Sequence, residues 1–197
     1  MVRACLPTSP PMLESQLFTQ RLYYHAAVAI LKTKSFPNQI LVVQRATRSG
    51  DPWSGDAAFP GGKSDPLDRS LEATAKRELM EETSISLNMD ASYKLNRKIT
   101  RVHHALKPMF ITPFVFEVET PITTHLNSEL SNAQWIPIQT LRTQQFKSSY
   151  RWRTPYGSIN VPCYRFNGIV IWGLTYSIIQ NFLQVESRRT IKSIRSQ

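Results

Sequence analysis

Hydrophobic residues fall in short runs along the first half of the chain, and the length of these runs predicts alternating strands and helices. Ala26–Leu31 and Ile40–Gln44 are apolar and short, which is typical of buried strands. The loop that follows, Ala46–Asp68, is rich in Gly, Pro, Ser and Asp. A helix is predicted over Ser70–Thr83, because Ser70 is a suitable N-cap and neither Gly nor Pro interrupts the run.

The second half of the chain continues the same mixed pattern. Further strands are predicted at Tyr93–Val102, Thr112–Val118 and Gln134–Ile136, a helix near Gln139–Phe146, a hairpin turn at Pro155-Tyr156-Gly157 and a buried final helix from Gly168 to about Val185. Strands and helices mixed in one unit predict an α/β fold with a sheet flanked by helices. The chain of 197 residues suits a single domain. We place it at 21–186, after an N-terminal extension (1–20) and before a basic C-terminal tail (187–197).

Charge is distributed unevenly along the sequence. The net charge is +10, yet six of the 14 acidic residues lie within Asp65–Glu82. Carboxylates concentrated in a basic chain suit a site that holds cations while nearby positive groups hold an anionic substrate. Three other interpretations remain open: a protein that is simply basic, one that binds nucleic acid, and one that binds an acidic membrane surface.

Several classes of protein are disfavoured by the composition. Cys5 and Cys163 are too few for a disulfide framework or a thiolate metal site, and they suit a reducing compartment. The longest apolar run, Ile169–Ile179, is too short to span a bilayer, and the first residues lack the apolar region of a secretory signal. We predict a cytoplasmic protein, with mitochondria and the nucleus as alternatives. His103-His104 is interpreted as a pair of strand-end residues, because no third ligand stands at a recognisable spacing.

Three carboxylates are brought together by the predicted helix. At about 100° per residue, Glu78, Glu81 and Glu82 fall within an arc of roughly 100°. Their mutual repulsion destabilises an isolated helix, and a hard divalent cation with oxygen ligands offsets that cost. The pattern therefore suits a site for a hard divalent cation. The alternative is a charged, solvent-facing helix in which Lys76 and Arg77 balance part of the charge.

The loop and helix together resemble the Nudix box, Gly-x5-Glu-x7-Arg-Glu-U-x-Glu-Glu-x-Gly-U, in which U is aliphatic. Gly62 takes the first Gly position, and Arg77, Glu78, Leu79, Glu81, Glu82 and Ile85 fill theirs. Asp68 stands where the first Glu is expected, and eight rather than seven residues separate it from Arg77. Ser84 replaces the closing Gly at a helix C-cap, where a positive φ is expected.

Residues before the box resemble the branch of this family that hydrolyses coenzyme A. The branch pattern is Leu-Leu-Thr-x-Arg-[Ser/Ala]-x3-Arg-x3-Gly-x3-Phe-Pro-Gly-Gly, and Arg45, Gly55 and Phe59-Pro60-Gly61-Gly62 match parts of it. The stretch from Arg45 to Phe59 is one residue too long, so the second Arg position falls near Gly50 or Asp51, with Arg48 as a substitute.

The resemblance covers about Tyr23 to Leu183 and implies a Nudix-type α/β/α sandwich that cleaves a diphosphate bond in a nucleotide-like small molecule. It implies Glu78 and Glu82 as ligands of Mg²⁺ or Mn²⁺, Glu81 as a further ligand or base, and Arg77 as the residue that orients these carboxylates. Glu129, before the strand of Trp135, is a second candidate, as an additional metal ligand or base, and the alternative is a solvated loop carboxylate. Substrate contacts are expected from four residues: Arg45, Lys63, Gly61 and Gly62.

The substrate predicted from the resemblance is coenzyme A or an acyl derivative. Alternatives within the same chemistry are a dinucleotide, a nucleotide sugar, an oxidised nucleotide and an RNA cap. A non-catalytic binding module is a different class, and the intact Arg77, Glu78, Glu81 and Glu82 argue against it.

Overall fold

A computed structural model describes residues 23–51, 53–102, 105–143, 146–154 and 156–195, which form two sheets and three helices. The larger sheet contains β1 (Tyr24–Thr33), β2 (Gln39–Arg45), β3 (Ala57–Ala58), β4 (Gly61–Lys63), β5 (Tyr93–Lys94), β6 (Lys98–Val102), β7 (Ala105–Val118) and β8 (Leu130–Pro137). The smaller sheet contains β9 (Lys147–Thr154), β10 (Gly157–Phe166) and β11 (Ile169–Trp172). The helices are α1 (Leu71–Thr83), α2 (Ile138–Arg142) and α3 (Gly173–Arg195).

Strand β1 is the centre of the larger sheet. It runs parallel to β7 in a register from Tyr24 opposite Met109 to Thr33 opposite Val118, and antiparallel to β2 and β4. Strands β3 and β8 pair with β2, and β5 and β6 pair with β7. Because β4 pairs with β1, the glycine-rich segment is part of the sheet and lies at a fixed position beside α1.

Helices cover both faces of the larger sheet, and the central strands β1 and β2 are accordingly buried on both sides. On one face, Ala75 and Leu79 of α1 pack against Ala27 and Leu31 of β1. On the other face, α3 contributes a buried row that packs against the sheet and against β10 and β11: Ile178, Ile179 and Phe182. The predicted α/β architecture, a mixed sheet flanked by helices, is confirmed.

Both ends of α1 are as predicted. The Ser70 side chain accepts a hydrogen bond from the Ala73 backbone N–H at 3.0 Å, which satisfies one of the free donors of the first turn. Ser84 adopts the left-handed region with φ 59°, and its N–H donates to the carbonyl of Met80. Glu78, Glu81 and Glu82 therefore lie in one uninterrupted helix.

The prediction for the last helix was wrong at both ends. Ile169–Trp172 is strand β11, in which Ile169 and Ile171 are buried and the residues between and after them are half-buried. Gly168, with φ +83°, turns the chain from β10 into β11, and the helix begins only at Gly173. It then continues through Arg195, so residues 187–195, predicted as a tail, are helical.

Other differences are smaller. The predicted strand over 93–102 is divided into β5 and β6, the helix predicted over 139–146 is the shorter α2, and the loop over 46–68 contains the short strands β3 and β4. The predicted N-terminal extension, His103-His104 and the Pro155 position of the hairpin lie outside the described residues.

No described helix combines the length and the apolar character that crossing a membrane requires.

Candidate active site

A cleft of about 510 Å³ opens beside α1 and β4. Three glutamates line it: Glu78 and Glu82 from α1, and Glu129 from the turn before β8. Arg45 at the end of β2 and Lys63 at the end of β4 also line it. The fold thus brings together acidic and basic residues that are up to 84 positions apart in the chain, from Arg45 to Glu129.

Glu82 is the most buried of these carboxylates, with 5% of its surface exposed. One oxygen accepts a hydrogen bond from the backbone N–H of Gly61 at 3.0 Å. Burial, together with the neighbouring charges of Glu78 and Glu129, raises the pKa of Glu82 to about 7, although the hydrogen bond from Gly61 opposes this shift. A buried carboxylate in this state is poised to bind a cation that compensates its charge.

Glu78 lies directly against the glycine-rich strand. A Cβ on Gly62 would lie 2.5 Å from Cδ of Glu78, so only glycine leaves room for this carboxylate. At Gly61 a Cβ would lie 2.6 Å from Cα of Val28, and its φ of +154° also favours glycine. Burial raises the pKa of Glu78 even though the guanidinium of Arg77 opposes the shift. The two glycines predicted to contact substrate therefore also shape the carboxylate site.

Arg77 forms the main ion-pair network beside the cleft. Its Nε and Nη2 donate to the two oxygens of Asp68, both at 3.0 Å, and its Nη1 donates to Glu78 at 2.9 Å and Glu81 at 3.1 Å. Nη2 also donates to the Lys63 carbonyl at 3.2 Å. A planar guanidinium that contacts three carboxylates in this way restricts their orientation.

Asp68 takes the place of the glutamate expected in the Nudix box and is itself firmly held. Besides Arg77, the hydroxyl of Thr74 donates to it at 2.8 Å and the backbone N–H of Asp65 at 2.9 Å. The hydrogen bonds from Arg77 hold the pKa of Asp68 well below its usual range. The shorter Asp side chain, in a loop one residue longer than the box pattern, thus pairs with Arg77 through both of its oxygens.

Glu81 and Glu129, the two candidate bases, occupy different environments. The Glu81 side chain is 55% exposed, pairs with Arg77 and does not belong to the lining of the cleft. Glu129 lies in the cleft, close enough to raise the pKa of both Glu78 and Glu82. Its backbone is held by a hydrogen bond from its N–H to Asn127 Oδ1 at 2.9 Å and by Ala46, whose N–H donates to the Glu129 carbonyl at 2.8 Å.

The donor set suits a hard divalent cation. Glu78, Glu82 and Glu129 supply carboxylate oxygens to one cleft, and oxygen ligands are those that Mg²⁺ and Mn²⁺ prefer. Among the described residues, no group of three His, Cys, Asp or Glu side chains is arranged so that it could hold a metal ion. One oxygen of Glu78 accepts a hydrogen bond from Arg77 at 2.9 Å in this arrangement.

The basic residues predicted to bind substrate line the cleft but have partners in the protein. Arg45 pairs with Asp51 at 2.8 Å, and the Lys63 ammonium lies 4.7 Å from the ring centre of Tyr24. Arg48, the proposed substitute in the coenzyme A pattern, instead donates to the Ser128 carbonyl at 2.7 Å. Arg48 is absent from the lining of the cleft.

Three further cleft residues did not emerge from the sequence: Trp53, Asp56 and Trp172. The indole N–H of Trp172 donates to Asp56 Oδ1 at 2.9 Å, across 116 positions of the chain. Burial raises the pKa of Asp56. Trp53 and Asp56 lie in the glycine-rich loop before the box, where their position was a visible signal, whereas Trp172 looked like ordinary core in an apolar run.

Comparisons with known proteins agree with this geometry. The NUDIX domain family model matches residues 23–154. An "Uncharacterized Nudix hydrolase NudL" of Yersinia enterocolitica is 33% identical over 172 residues, which cover 82% of this chain and 80% of that protein. An uncharacterised Schizosaccharomyces pombe protein is 34% identical over 107 residues, or 52% of this chain, and the match spans only 32% of the yeast protein.

A solved structure supports the fold. The crystal structure of a MutT/nudix family protein from Enterococcus faecalis matches with a TM-score of 0.55 and 13% identity, over 90% of this chain and 70% of that one. The matched family model, the similar Yersinia protein and the site carried by the glycine-rich strand and α1 lead to one conclusion: the chain belongs to the Nudix hydrolase family.

Proposed function

We propose that this protein uses a divalent cation to hydrolyse the diphosphate of coenzyme A or an acyl-coenzyme A. Water attacks one phosphorus, the bridging P–O bond breaks, and the products are a 3′,5′-bisphosphorylated adenosine and a phosphopantetheine. The observation that carries the proposal is a single cleft in which the half-buried Glu78 and the buried Glu82 meet Arg45, Lys63 and an apolar wall.

The lining of the cleft suits both parts of such a substrate. Carboxylates that hold a cation, with basic groups beside them, suit the diphosphate. The apolar wall, formed by Met109, Ile111 and Leu174 among others, suits the uncharged pantetheine arm and an acyl chain. An RNA substrate would instead call for an extended basic surface that follows the phosphate backbone.

Glu78 and Glu82 are proposed to hold the cation. When bound, Mg²⁺ or Mn²⁺ neutralises the diphosphate oxygens and lowers the pKa of a water molecule. Gly61 keeps Glu82 in place through its backbone N–H, and Arg77 orients Glu78 by ion pairing. Arg45 and Lys63 would contact the substrate phosphates, and to do so Arg45 exchanges or shares its contact with Asp51.

Glu129 is proposed as the general base in preference to Glu81. A base must reach the proton that it removes, and Glu129 lies in the cleft whereas Glu81 points to Arg77 at its edge. The carbonyl and N–H contacts of Glu129 hold its backbone in the turn. Its side chain can accept the proton of a water that the carboxylate site positions.

A second candidate is hydrolysis of another nucleoside diphosphate derivative, such as a dinucleotide, a nucleotide sugar or an oxidised nucleotide. The observation that favours it is the position of Arg48. The coenzyme A pattern requires a second arginine near this point, and Arg48 donates to Ser128 outside the cleft lining.

A product-resolved activity screen tests the proposal. The panel contains coenzyme A, an acyl-coenzyme A, NADH, ADP-ribose, a dinucleoside polyphosphate and capped RNA, each with Mg²⁺ and with Mn²⁺. We expect coenzyme A or its acyl derivative to have the highest kcat/KM, with only weak dependence on salt. Preference for another member would overturn the substrate assignment. Preference for capped RNA with a steep loss of affinity in salt would point to RNA instead.

A further inference from the structure

The smaller sheet presents an aromatic cluster to the catalytic cleft. Trp172, at the end of β11, lines the cleft, and its ring centre lies 4.8 Å from Tyr150 and 5.8 Å from Trp152 of β9. The registers of β9, β10 and β11 place these three residues on one face of the sheet, because Cys163 opposes both Trp172 and Ser148. No step of the proposed hydrolysis uses this cluster.

Trp172 is held rigidly in its position. Its indole N–H donates to Asp56 Oδ1 at 2.9 Å, and the two rings behind it restrict rotation of the side chain. An aromatic ring that is fixed before the ligand arrives loses little conformational entropy on binding. Such a ring offers a planar surface on which a flat, conjugated group can stack.

The loop that carries Asp56 adds a second aromatic residue to the same cleft. Trp53 lines the cleft, and its backbone N–H donates to Asp51 Oδ1 at 2.9 Å. The other oxygen of Asp51 accepts from Arg45 at 2.8 Å. Asp51 therefore connects the loop that carries Trp53 to Arg45, which is proposed to contact phosphate. This connection fixes the distance between the aromatic residue and the phosphate-binding residue.

Asp56 places a hydrogen-bond acceptor beside the aromatic surface. One of its oxygens, Oδ1, accepts a hydrogen bond from the indole N–H of Trp172. Asp56 lines the cleft, and a carboxylate has a second oxygen that can accept a further hydrogen bond. A carboxylate accepts hydrogen bonds and, when ionised, donates none, so it selects ligands with an N–H at this point.

We propose that Trp172, Trp53 and Asp56 form a nucleobase subsite that selects adenine through its exocyclic amine. The base stacks on the indole of Trp172, and its amino group donates to Asp56. This inference rests on the proposed function, in which the cleft binds an adenosine-containing diphosphate. Hypoxanthine carries a carbonyl where adenine carries the amine, and that oxygen would face the Asp56 carboxylate without a proton between them.

Binding of unreactive fragments tests the subsite without catalysis. Calorimetry in the presence of Mg²⁺ compares AMP, IMP and ribose 5-phosphate, none of which contains a diphosphate to hydrolyse. We expect AMP to bind at least about tenfold more tightly than ribose 5-phosphate, since stacking on an aromatic side chain contributes about 1–3 kcal/mol, or roughly 5- to 150-fold. We expect IMP to bind about tenfold more weakly than AMP.

Two substitutions separate the roles of the residues. Trp172→Leu should remove the advantage of AMP over ribose 5-phosphate, and Trp172→Phe, which keeps a ring, should restore most of it. Asp56→Asn keeps an acceptor for the indole but offers an N–H to the ligand, so it should abolish or reverse the preference for AMP over IMP. Because this variant preserves shape, it tests the proposal even if Trp172→Leu fails to fold.

The outcomes distinguish this inference from the proposed function. Equal binding of AMP and ribose 5-phosphate to the wild type, or an unchanged preference for AMP over IMP in Asp56→Asn, overturns the adenine subsite. Wild-type hydrolysis of coenzyme A alongside either result would leave the proposed function standing. The expected preference for AMP, without hydrolysis of coenzyme A or its acyl derivative, would support the subsite and overturn the substrate.

Discussion

Gly62→Ala is the sharpest perturbation of the carboxylate site that the structure offers. A Cβ at this position would lie 2.5 Å from Cδ of Glu78, whereas ordinary contacts begin near 3.4 Å. The carboxylate must therefore move by about 1 Å, given the usual separation of carbon atoms in contact. The backbone at Gly62 does not have the positive φ found at Gly61, so alanine adds no backbone strain of that kind.

The expected effect is on catalysis more than on stability. A misplacement of about 1 Å in a catalytic group can cost about 100-fold, so kcat/KM for coenzyme A should fall by about that factor, or about 2.7 kcal/mol of transition-state stabilisation. The displaced atoms belong to the end of a flexible side chain, so the melting temperature should change by only a few degrees. Steady-state kinetics and thermal denaturation measure the two effects.

A double-mutant cycle with Glu78→Gln shows whether the loss acts through Glu78. If it does, Gly62→Ala should reduce activity by less than about threefold in the Glu78→Gln background, because both changes disable the same ligand. An undiminished 100-fold loss in that background would refute the reasoning. Near-wild-type activity of Gly62→Ala alone would refute it as well.

Three further predictions concern the residues around this position. Glu129→Gln should lower kcat by about 10²–10⁴-fold, whereas Glu81→Gln should have a much smaller effect. A larger loss of kcat in Glu81→Gln than in Glu129→Gln, measured by steady-state kinetics, would make Glu81 the general base instead. Asp68→Asn should reduce the free energy of unfolding by about 1–2 kcal/mol at neutral pH, because it weakens a partly buried pair with Arg77. Because the pKa of Asp68 is depressed in the folded state, the difference in the free energy of unfolding between the wild type and Asp68→Asn should shrink as the pH falls below 3.8. Urea titrations at several pH values measure this difference, and a value that does not change with pH would contradict this cause. The pKa of Glu82 is raised to about 7, so the metal-free protein should lose stability as the pH rises from 4.5 through 7. In the same pH range, binding of Mg²⁺ should displace a proton from Glu82. Calorimetry should show Mg²⁺ affinity rising by up to about tenfold per pH unit below about pH 7, and a flat profile would exclude Glu82 as the titrating ligand.

Local features of the site were predictable because short-range rules govern them. The N-cap at Ser70, the left-handed Ser84 and the shared face of the three glutamates follow from helix geometry over a few residues. The exchange of Glu for Asp68 was visible in the sequence. Its structural consequence, a bidentate pair with Arg77, depends on how the longer loop folds back onto α1.

Features that depend on distant residues were not predictable in the same way. Ile169–Trp172 is apolar enough for either a strand or a helix, and its pairing with β10 decides for the strand. That pairing also turns Trp172 towards Asp56, 116 positions earlier. The position of Glu129 within the site likewise results from tertiary packing, because the loop before β8 is held at the end of α1 by the Asn127 N–H, which donates to the Glu82 carbonyl at 3.1 Å.

The most direct test of the account is the Mg²⁺-dependent hydrolysis of coenzyme A by the wild type, Glu82→Gln and Glu119→Gln, with products identified by mass spectrometry. Glu119 is exposed and pairs with Lys34 outside the cleft, which makes its substitution a matched control for the loss of one charge. We predict that the wild type and Glu119→Gln release phosphopantetheine and a bisphosphorylated adenosine, and that Glu82→Gln releases neither at a comparable rate. Wild-type rates in Glu82→Gln under saturating Mg²⁺ would contradict the central claim.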